Sequence, residues 1–234
     1  QMLNVSLIIP TYNEAKNIPF LIEEIFAVVD KSKINLEFII VDDNSPDGTG
    51  KIAEDLADKY PIRVIHRAGK LGLGTAVIEG FKLSDREYVG AMDGDMSHDP
   101  SILNQMITSL ISYDIVIGSR FEKGSVVEKW GLHRRIISGM GVFMARILTR
   151  TKDPLSGYFF MKRSAVNGLK LKTKGYKIVL EILVKTKHAK VKEFPYTFRM
   201  RKYSMSKLNT KEFLLFLGQI VNYSFYKAIR LFKK

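Results

Sequence analysis

Residues 89–100, "VGAMDGDMSHDP", pass from an apolar run directly into a turn that carries three carboxylates. Asp93 and Asp95 flank Gly94, and Asp99 follows four positions later. Glycine lets a chain turn tightly, so two acidic side chains at a spacing of two can reach one ion. Carboxylates this close repel one another unless a cation lies among them. The stretch therefore predicts a buried strand that ends at a turn suited to a cation.

The same pattern, an apolar strand followed by polar residues, occurs at two earlier places, "SLIIPTYNE" (6–14) and "IIVDDNSPDG" (39–48). Such strands alternate with segments whose apolar residues recur at helical spacing. This alternation predicts an α/β fold with a mainly parallel central sheet and helices on both faces. Carboxyl ends of parallel strands meet at one edge of a sheet. We therefore expect one crevice to be faced by Asn13, Glu14, Asp42, Asp43, Asp93 and Asp95.

The composition is that of an ordinary folded protein, with 234 residues, 46% of them hydrophobic, and no cysteine. Disulfides and thiolate metal sites are thereby excluded. The net charge of +13 favours anionic partners, and residues 201–234 contain eight basic side chains against one acid. The first apolar segment is too short for a secretory signal peptide. The longest apolar stretch, 213–226, is shorter than the roughly 20 residues that a spanning helix needs.

Two interpretations of the Asp93-Gly94-Asp95 turn are open when it is taken alone. An isolated pair of this kind more often caps a turn or the following helix. As a metal site, an all-oxygen donor set favours Mg²⁺ or Mn²⁺, with positions left open for substrate phosphates. A calcium loop of the EF-hand type is disfavoured, because His98 stands where that loop requires glycine. Asp99, directly before Pro100, is predicted to cap the next helix.

Six motifs in order resemble the inverting family 2 glycosyltransferases of GT-A fold, and most closely their dolichol-phosphate mannose synthase branch. They are "SLIIPTYNEAKNI", "IIVDDNSPDGT", "GLGTAVIEGF", "MDGDMSHDP", "VIGSRF" and "DPLSGYFFMKR". The resemblance covers about residues 4–210. It implies a GT-A (Rossmann-like) catalytic domain over residues 1–210, followed by a basic amphipathic helix over 211–234. The Q-x-x-R-W motif of processive synthases is absent, which favours transfer of a single sugar.

The resemblance also implies roles for individual residues. Metal binding falls to Asp93 and Asp95, whereas Ser97 stands where archaeal synthases commonly have a glutamine, a stronger ligand than a hydroxyl. Arg135 has no counterpart in the motifs. The acceptor phosphate would contact Arg120, Arg134 and Ser138, and the catalytic set would be Asp93, Asp95, Arg120 and Arg134. The donor nucleotide sugar would contact Pro10, Tyr12, Asn13, Glu14, Asp42, Asp43, Asp93, Lys177, Arg201 and Lys207.

The activity implied is metal-dependent transfer of mannose from GDP-mannose to dolichyl phosphate, with inversion at the anomeric carbon. A phosphate acceptor is already anionic, so it needs no general base. Transfer of glucose from UDP-glucose to a polyprenyl phosphate, by the same fold, is the alternative, since no residue pattern selects the base or the sugar. A nucleic-acid-binding module is disfavoured because the strands are aliphatic and acids line their ends. A dinucleotide-binding oxidoreductase is disfavoured because G-x-G-x-x-G is lacking.

The segment 211–232 has polar residues at spacings of three and four, which leaves a broad apolar face. A basic amphipathic helix with aromatic residues is typical of a peripheral attachment, here to the cytoplasmic face of a membrane. The alternative is that this face packs on the domain or on a partner. Many archaeal relatives continue into transmembrane helices. A chain that ends at "LFKK" is thus a natural short form, a piece of a longer protein, or one that needs a membrane partner subunit.

Overall fold

The computed structural model describes residues 2–128, 132–172, 177–186, 188–201 and 210–232. Its strands are β1 (Leu3–Thr11), β2 (Ile34–Asp42), β3 (Ile62–His66), β4 (Tyr88–Ala91), β5 (Ile115–Ser119), β6 (Val126–Val127), β7 (Phe159–Lys162), β8 (Val191–Pro195) and β9 (Thr197–Phe198). Its helices are α1 (Ile18–Val28), α2 (Thr49–Leu56), α3 (Leu73–Leu83), α4 (Leu103–Ser109), α5 (Leu132–Arg146), α6 (Ile178–Lys185) and α7 (Thr210–Phe232). Short 3₁₀ turns cover Pro100–Ile102 and Arg163–Val166.

Seven strands form the central sheet in the order β3-β2-β1-β4-β7-β5-β8. All neighbouring pairs are parallel except those of β7, which runs antiparallel to both β4 and β5. Strands β6 and β9 form a separate parallel pair beside this sheet. The predicted mainly parallel sheet is confirmed. The reversed direction of β7 is a feature that the apolar run "YFFM" does not reveal, since periodicity carries no information on strand direction.

Helices cover both faces of the sheet, as predicted. Alternate residues of a strand point to opposite faces. Leu7 and Ile9 of β1 thus pack with buried residues of α1, α2 and α4, whereas Ile8 packs with those of α3 and α6. The aliphatic strands are buried on both sides for this reason.

The C-terminal helix α7 packs on the domain through one side only. Phe216 and Tyr223 lie in a cluster with apolar residues of α5 and α6, among them Val142 and Leu180. The opposite side of α7 exposes Leu215, Val221, Phe225 and Ile229. Within the described ranges, no helix combines the length and apolarity that crossing a bilayer requires.

Local differences from the sequence prediction lie where turns begin and end. The segment 121–135, in which the sequence has no clear periodicity, contains β6, and its last residues already belong to α5. The predicted helix 101–111 begins with a 3₁₀ turn at Pro100, and Asp99 caps that turn by accepting a hydrogen bond from the Ser101 N–H at 2.9 Å. The capping role of Asp99 is therefore confirmed.

Candidate active site

The Asp93-Gly94-Asp95 turn follows β4 at the carboxyl edge of the parallel strands. A Cβ built on Gly94 would lie 3.4 Å from side-chain atoms of Thr11, the last residue of the neighbouring β1, and the Thr11 hydroxyl in turn donates to Asp42 at 2.9 Å. Polar residues after β1, β2 and β4 are thus adjacent, as the strand-end pattern predicts.

The carboxylate of Asp93 is 26% exposed and lies in a basic environment. Its Oδ2 is 3.3 Å from Nε2 of His98. Burial raises the pKa of Asp93, but the interaction with His98 and the charges of Arg201 and Lys177 outweigh it, and the pKa falls to about 2. Gly157 lies against the other side of this carboxylate, so close that a Cβ on residue 157 would be 3.0 Å from Oδ1 of Asp93. Asp93 is therefore an anion of fixed orientation at neutral pH.

The carboxylate of Asp95 is almost fully buried and is held by two neighbours. Its Oδ1 accepts hydrogen bonds from the hydroxyl of Ser97 at 2.5 Å and from the Ser97 N–H at 3.1 Å. Its Oδ2 lies 2.5 Å from Nε of Arg201, which follows the end of β9. Ser97 thus supports Asp95, the role that fits its short hydroxyl better than metal ligation.

Arg120 follows β5 and forms a bidentate ion pair with Asp153. Its Nε and Nη2 each donate to an oxygen of Asp153 at 2.8 Å, and its backbone N–H donates at 3.0 Å. Burial raises the pKa of Asp153, but the charge and hydrogen bonds of Arg120 lower it by more. The pair fixes the orientation of the guanidinium, a group whose planar set of N–H donors suits carboxylates and phosphates.

Lys177 stands directly before α6 and contacts the same group of charges. Burial, with the nearby positive charge of Arg120, lowers the pKa of Lys177 to about 8, although Asp153 and Asp93 act in the opposite direction. Its ammonium group lies 3.5 Å from the carbonyl oxygen of Leu155. The structure therefore brings together the acids at 93 and 95 and the bases at 120, 177 and 201.

The donor atoms at this turn fit a hard divalent cation. Asp93 and Asp95 offer carboxylate oxygens, which Mg²⁺ and Mn²⁺ prefer. In the described part of the chain, no group of three or more His, Cys, Asp or Glu residues is arranged around a metal position. Two carboxylates suit an ion that takes its other ligands from phosphates and water, as Mg²⁺ does at nucleotide sites.

The two acids after β2 both brace turns. Asp42 accepts hydrogen bonds from the Ser45 hydroxyl at 2.5 Å and the Ser45 N–H at 2.9 Å, in addition to that from Thr11. Asp43 pairs with the buried Arg67 at 2.5 Å and accepts from the Gly72 N–H at 3.1 Å. These bonds order the loops that follow β2 and β3, and the predicted direct contacts of Asp42 and Asp43 with the donor stay predictions.

Residues of the "PTYNE" motif lie at the end of β1 and just beyond it. Pro10 lines a small cleft together with Asp93. Asn13 is exposed and has a left-handed backbone (φ 60°), and Glu14 is buried with its carboxylate accepting from the Asn17 amide at 2.7 Å. The ring of Tyr12 lies 4.2 Å below the ammonium group of Lys70. A basic group thus lies near the motif on a loop that the sequence analysis did not single out.

The remaining predicted residues are placed in part. Arg134 and Arg135 belong to the first turn of α5, but their side chains lie outside the described part of the structure. Ser138 lies further along α5 and is half-buried. Lys207 lies outside the described residues.

Four residues that the structure adds were not predicted as functional. They are His98, Asp153, Gly157 and Tyr196, and each contacts or supports a predicted residue. The signal available for Asp153 and Gly157 was their place in the motif "DPLSGYFFMKR". His98 lies in the motif "MDGDMSHDP", whereas its contact with Tyr196, 98 residues later, is one that no local pattern reveals.

A mainly parallel sheet of this order, with acidic and basic side chains at its carboxyl edge, is typical of the GT-A fold of nucleotide-sugar-dependent glycosyltransferases. Comparison with known proteins agrees. The chain belongs to glycosyl transferase family 2, whose sequence profile matches residues 6–169.

Relatives in this family carry a more specific name. The chain is 40% identical over 225 residues to a dolichol-phosphate mannosyltransferase of Pyrococcus furiosus, an alignment that covers 93% of this chain but only 63% of that relative. It is 34% identical to the dolichol-phosphate mannosyltransferase of Saccharomyces cerevisiae, over 93% of this chain and 86% of the relative. The predicted resemblance is thereby confirmed.

The fold also matches solved structures. Glucosyl-3-phosphoglycerate synthase of Mycobacterium tuberculosis, in complex with Mn²⁺, UDP and glucosyl-3-phosphoglycerate, superposes with a TM-score of 0.66 over 94% of this chain and 78% of that chain, at 18% identity. The same enzyme has been crystallised with Mg²⁺ and UDP. Because the sequences are only 18% identical, the structural similarity bears on the fold alone, and it confirms the GT-A fold.

Proposed function

We propose that this chain transfers mannose from GDP-mannose to dolichyl or a related polyprenyl phosphate, at the cytoplasmic face of a membrane. One observation carries the proposal: three basic side chains, Arg120, Lys177 and Arg201, surround a pair of carboxylates at the sheet edge. Such a site suits phosphate groups on both partners of a transfer. The names of relatives that are 34–40% identical support mannose and dolichyl phosphate.

In this proposal the nucleophile is an oxygen of the acceptor phosphate, which is anionic without a general base. That oxygen bonds to the anomeric carbon while the bond from this carbon to the diphosphate oxygen breaks, and GDP leaves. An α-linked donor then gives a β-linked product. The protein contributes positioning and fixed charge, which are the main terms in such displacements.

Each charged residue has a role in that scheme. Arg120, oriented by Asp153, holds the acceptor phosphate together with Arg134 and Ser138. Lys177 and Arg201 neutralise the donor diphosphate, and Lys207 is assigned to the same task. Asp93 and Asp95 would hold Mg²⁺ or Mn²⁺, which supplies Lewis-acid stabilisation of the leaving diphosphate when bound. The nucleoside would lie against Pro10, Tyr12, Asn13, Glu14, Asp42 and Asp43.

The test is a transfer assay with four donors. GDP-mannose, GDP-glucose, UDP-mannose and UDP-glucose, each radiolabelled in the sugar, are incubated with dolichyl phosphate vesicles and Mn²⁺. We expect lipid-linked label from GDP-mannose, and NMR of the product should show the β anomer. An α-linked product would exclude inversion, and transfer from UDP-glucose alone would establish the alternative donor. Thermal shifts with GDP and UDP give an independent readout of base preference, because a bound ligand stabilises the fold.

Membrane attachment is part of the proposal and has its own support. Helices α5 and α7 pack together, and large apolar side chains are more than half exposed on both: Phe143 in α5, Ile147 directly after it, and Phe225 and Ile229 in α7. Phe225→Ser with Ile229→Ser should reduce co-sedimentation with anionic vesicles severalfold. Ile111→Ser, equally exposed but beside α4 on the other face of the sheet, should leave it unchanged. Equal losses in both variants would contradict attachment through α7.

Point variants are preferable to removing α7. Its Phe216 and Tyr223 are buried against α5 and α6, so deletion would uncover apolar core and lower stability independently of any lipid. The two interpretations of this helix, packing on the domain and lying at a membrane surface, are compatible because they use opposite sides of it.

A further inference from the structure

His98 lies in the acidic loop but has no part in the transfer described above. Its side chain is 2% exposed. Nε2 lies 3.3 Å from Oδ2 of Asp93, and Nδ1 lies 2.9 Å from the hydroxyl oxygen of Tyr196. Tyr196 comes 98 residues later in the chain, directly after β8. The imidazole therefore connects the carboxylate of the acidic turn to a second, distant segment.

The chemistry of the two neighbours fixes which nitrogen carries the hydrogen. A carboxylate only accepts hydrogen bonds, so in a neutral imidazole the hydrogen that faces Asp93 is carried by Nε2, which lies near Oδ2 of Asp93 without a well-aligned hydrogen bond to it. The phenol of Tyr196 keeps its proton at neutral pH and can donate it to Nδ1. The hydroxyl thus selects the tautomer that directs an N–H at Asp93.

The surrounding rings prevent the imidazole from turning away. The centroid of the His98 ring is 5.3 Å from that of Tyr158, and 5.6 Å from those of both Tyr196 and Phe198. The backbone of His98 also forms an isolated bridge with that of Phe198. Ring and main chain are therefore both held in place.

We propose that His98 is a positioning residue, whose Nε2 lies against Oδ2 of Asp93 and so limits the orientations of the carboxylate that would hold the divalent cation. Tyr196 maintains the required tautomer. This assignment rests on the proposed function for what Asp93 binds. Groups behind a ligating carboxylate commonly change metal affinity 10- to 100-fold.

Three variants test the assignment. His98→Phe keeps a ring of similar size among the aromatic neighbours but removes both nitrogens. His98→Gln places an amide N–H near the former Nε2, and Tyr196→Phe removes one oxygen atom. The readout is the Kd of Mn²⁺ in the presence of saturating GDP or UDP, measured from the EPR signal of free Mn²⁺. Urea denaturation of each variant reports whether it is folded.

We expect His98→Phe to weaken Mn²⁺ binding at least about tenfold, His98→Gln to recover part of that loss, and Tyr196→Phe to lie between wild type and His98→Phe. A folded His98→Phe protein with wild-type Mn²⁺ affinity would overturn the assignment. If the wild-type protein binds no Mn²⁺ in the presence of either GDP or UDP, the proposed function fails.

A second measurement uses the wild-type protein, so it does not depend on whether a variant folds. In ¹⁵N-labelled wild-type protein, long-range ¹H–¹⁵N correlations of the His98 ring should show hydrogen on Nε2 and an unprotonated Nδ1. The opposite tautomer, with hydrogen on Nδ1 alone, would overturn the assignment, because Nε2 could not then donate to Asp93.

Discussion

Asp153→Ala should destabilise the protein by about 3–5 kcal/mol at pH 7, because it leaves the charge of Arg120 buried without its partner. The ion pair has two 2.8 Å hydrogen bonds, and its side chains are 0% exposed at Asp153 and 11% at Arg120. For a chain of this length, such a loss corresponds to a fall in Tm of about 6–20 °C. A double variant, Arg120→Met with Asp153→Leu, should recover much of that stability, since it buries no charge.

The assay is urea unfolding followed by circular dichroism, and pH provides a second axis. The folded-state pKa of Asp153 is lowered, so the pair stabilises the fold above the unfolded-state pKa of about 4 and the stabilisation is lost as pH falls through the folded-state value. The difference between wild type and Asp153→Ala should therefore shrink in acid.

A matched control uses the exposed pair of Glu122 with Lys152, whose side chains are 23% and 52% exposed. Pairs at the surface contribute about 0–1 kcal/mol, so Glu122→Ala should have a small effect at every pH. If Asp153→Ala lowers the free energy of unfolding at pH 7 by less than about 1 kcal/mol, no more than the control does, then Asp153 and Arg120 are not a tightly coupled buried pair.

Two further predictions concern nucleotide binding. The pKa of Lys177 is lowered to about 8 and a bound anion would raise it, so GDP affinity should fall by up to tenfold per pH unit above pH 8. Calorimetry on Lys177→Met should show a flatter dependence of GDP affinity on pH. Identical slopes in wild type and variant would contradict a role of Lys177 in binding the diphosphate. Gly157→Ala should weaken Mn²⁺-dependent GDP binding, since its methyl group would lie 3.0–3.2 Å from the carboxyl group of Asp93. Gly139→Ala, in α5 with open space around it, should leave binding intact and stabilise the helix by about 0.5–1 kcal/mol; a similar loss in both variants would contradict the steric argument.

Much of the fold could be predicted because its signals are local. The strands β1, β2 and β5 contain the apolar runs "LII", "FIIV" and "IVI", and a run of that kind is buried on both faces of a parallel sheet. The position of polar residues at the carboxyl ends of β1, β2 and β4 follows from the rule that ligands bind at this edge of a parallel sheet. The ends of elements were less predictable, because the terminal turns depend on contacts that are not local.

The rule that functional residues follow the carboxyl ends of parallel strands predicted the edge at which the site lies, but not all of the site's residues. The direction of β7 explains why some were missed. In a parallel strand, functional residues follow the carboxyl end. Strand β7 is antiparallel to β4 and pairs Phe159 with Ala91, so its amino end lies at the edge where β4 ends. The segment before β7, rather than the segment after it, therefore enters the site.

That reversal brings three groups to the acidic turn. Asp153 reaches Arg120 at the end of β5, Gly157 lies against the carboxylate of Asp93, and the Tyr158 ring packs beside that of His98. Each contact depends on a strand direction that hydrophobic periodicity does not encode. The motif "DPLSGYFFMKR" could be matched to a family, but its contribution to the site follows only from the order and direction of strands in the sheet. An acid that precedes an apolar strand is thus a candidate for an active-site edge whenever that strand is the antiparallel member of a mixed sheet.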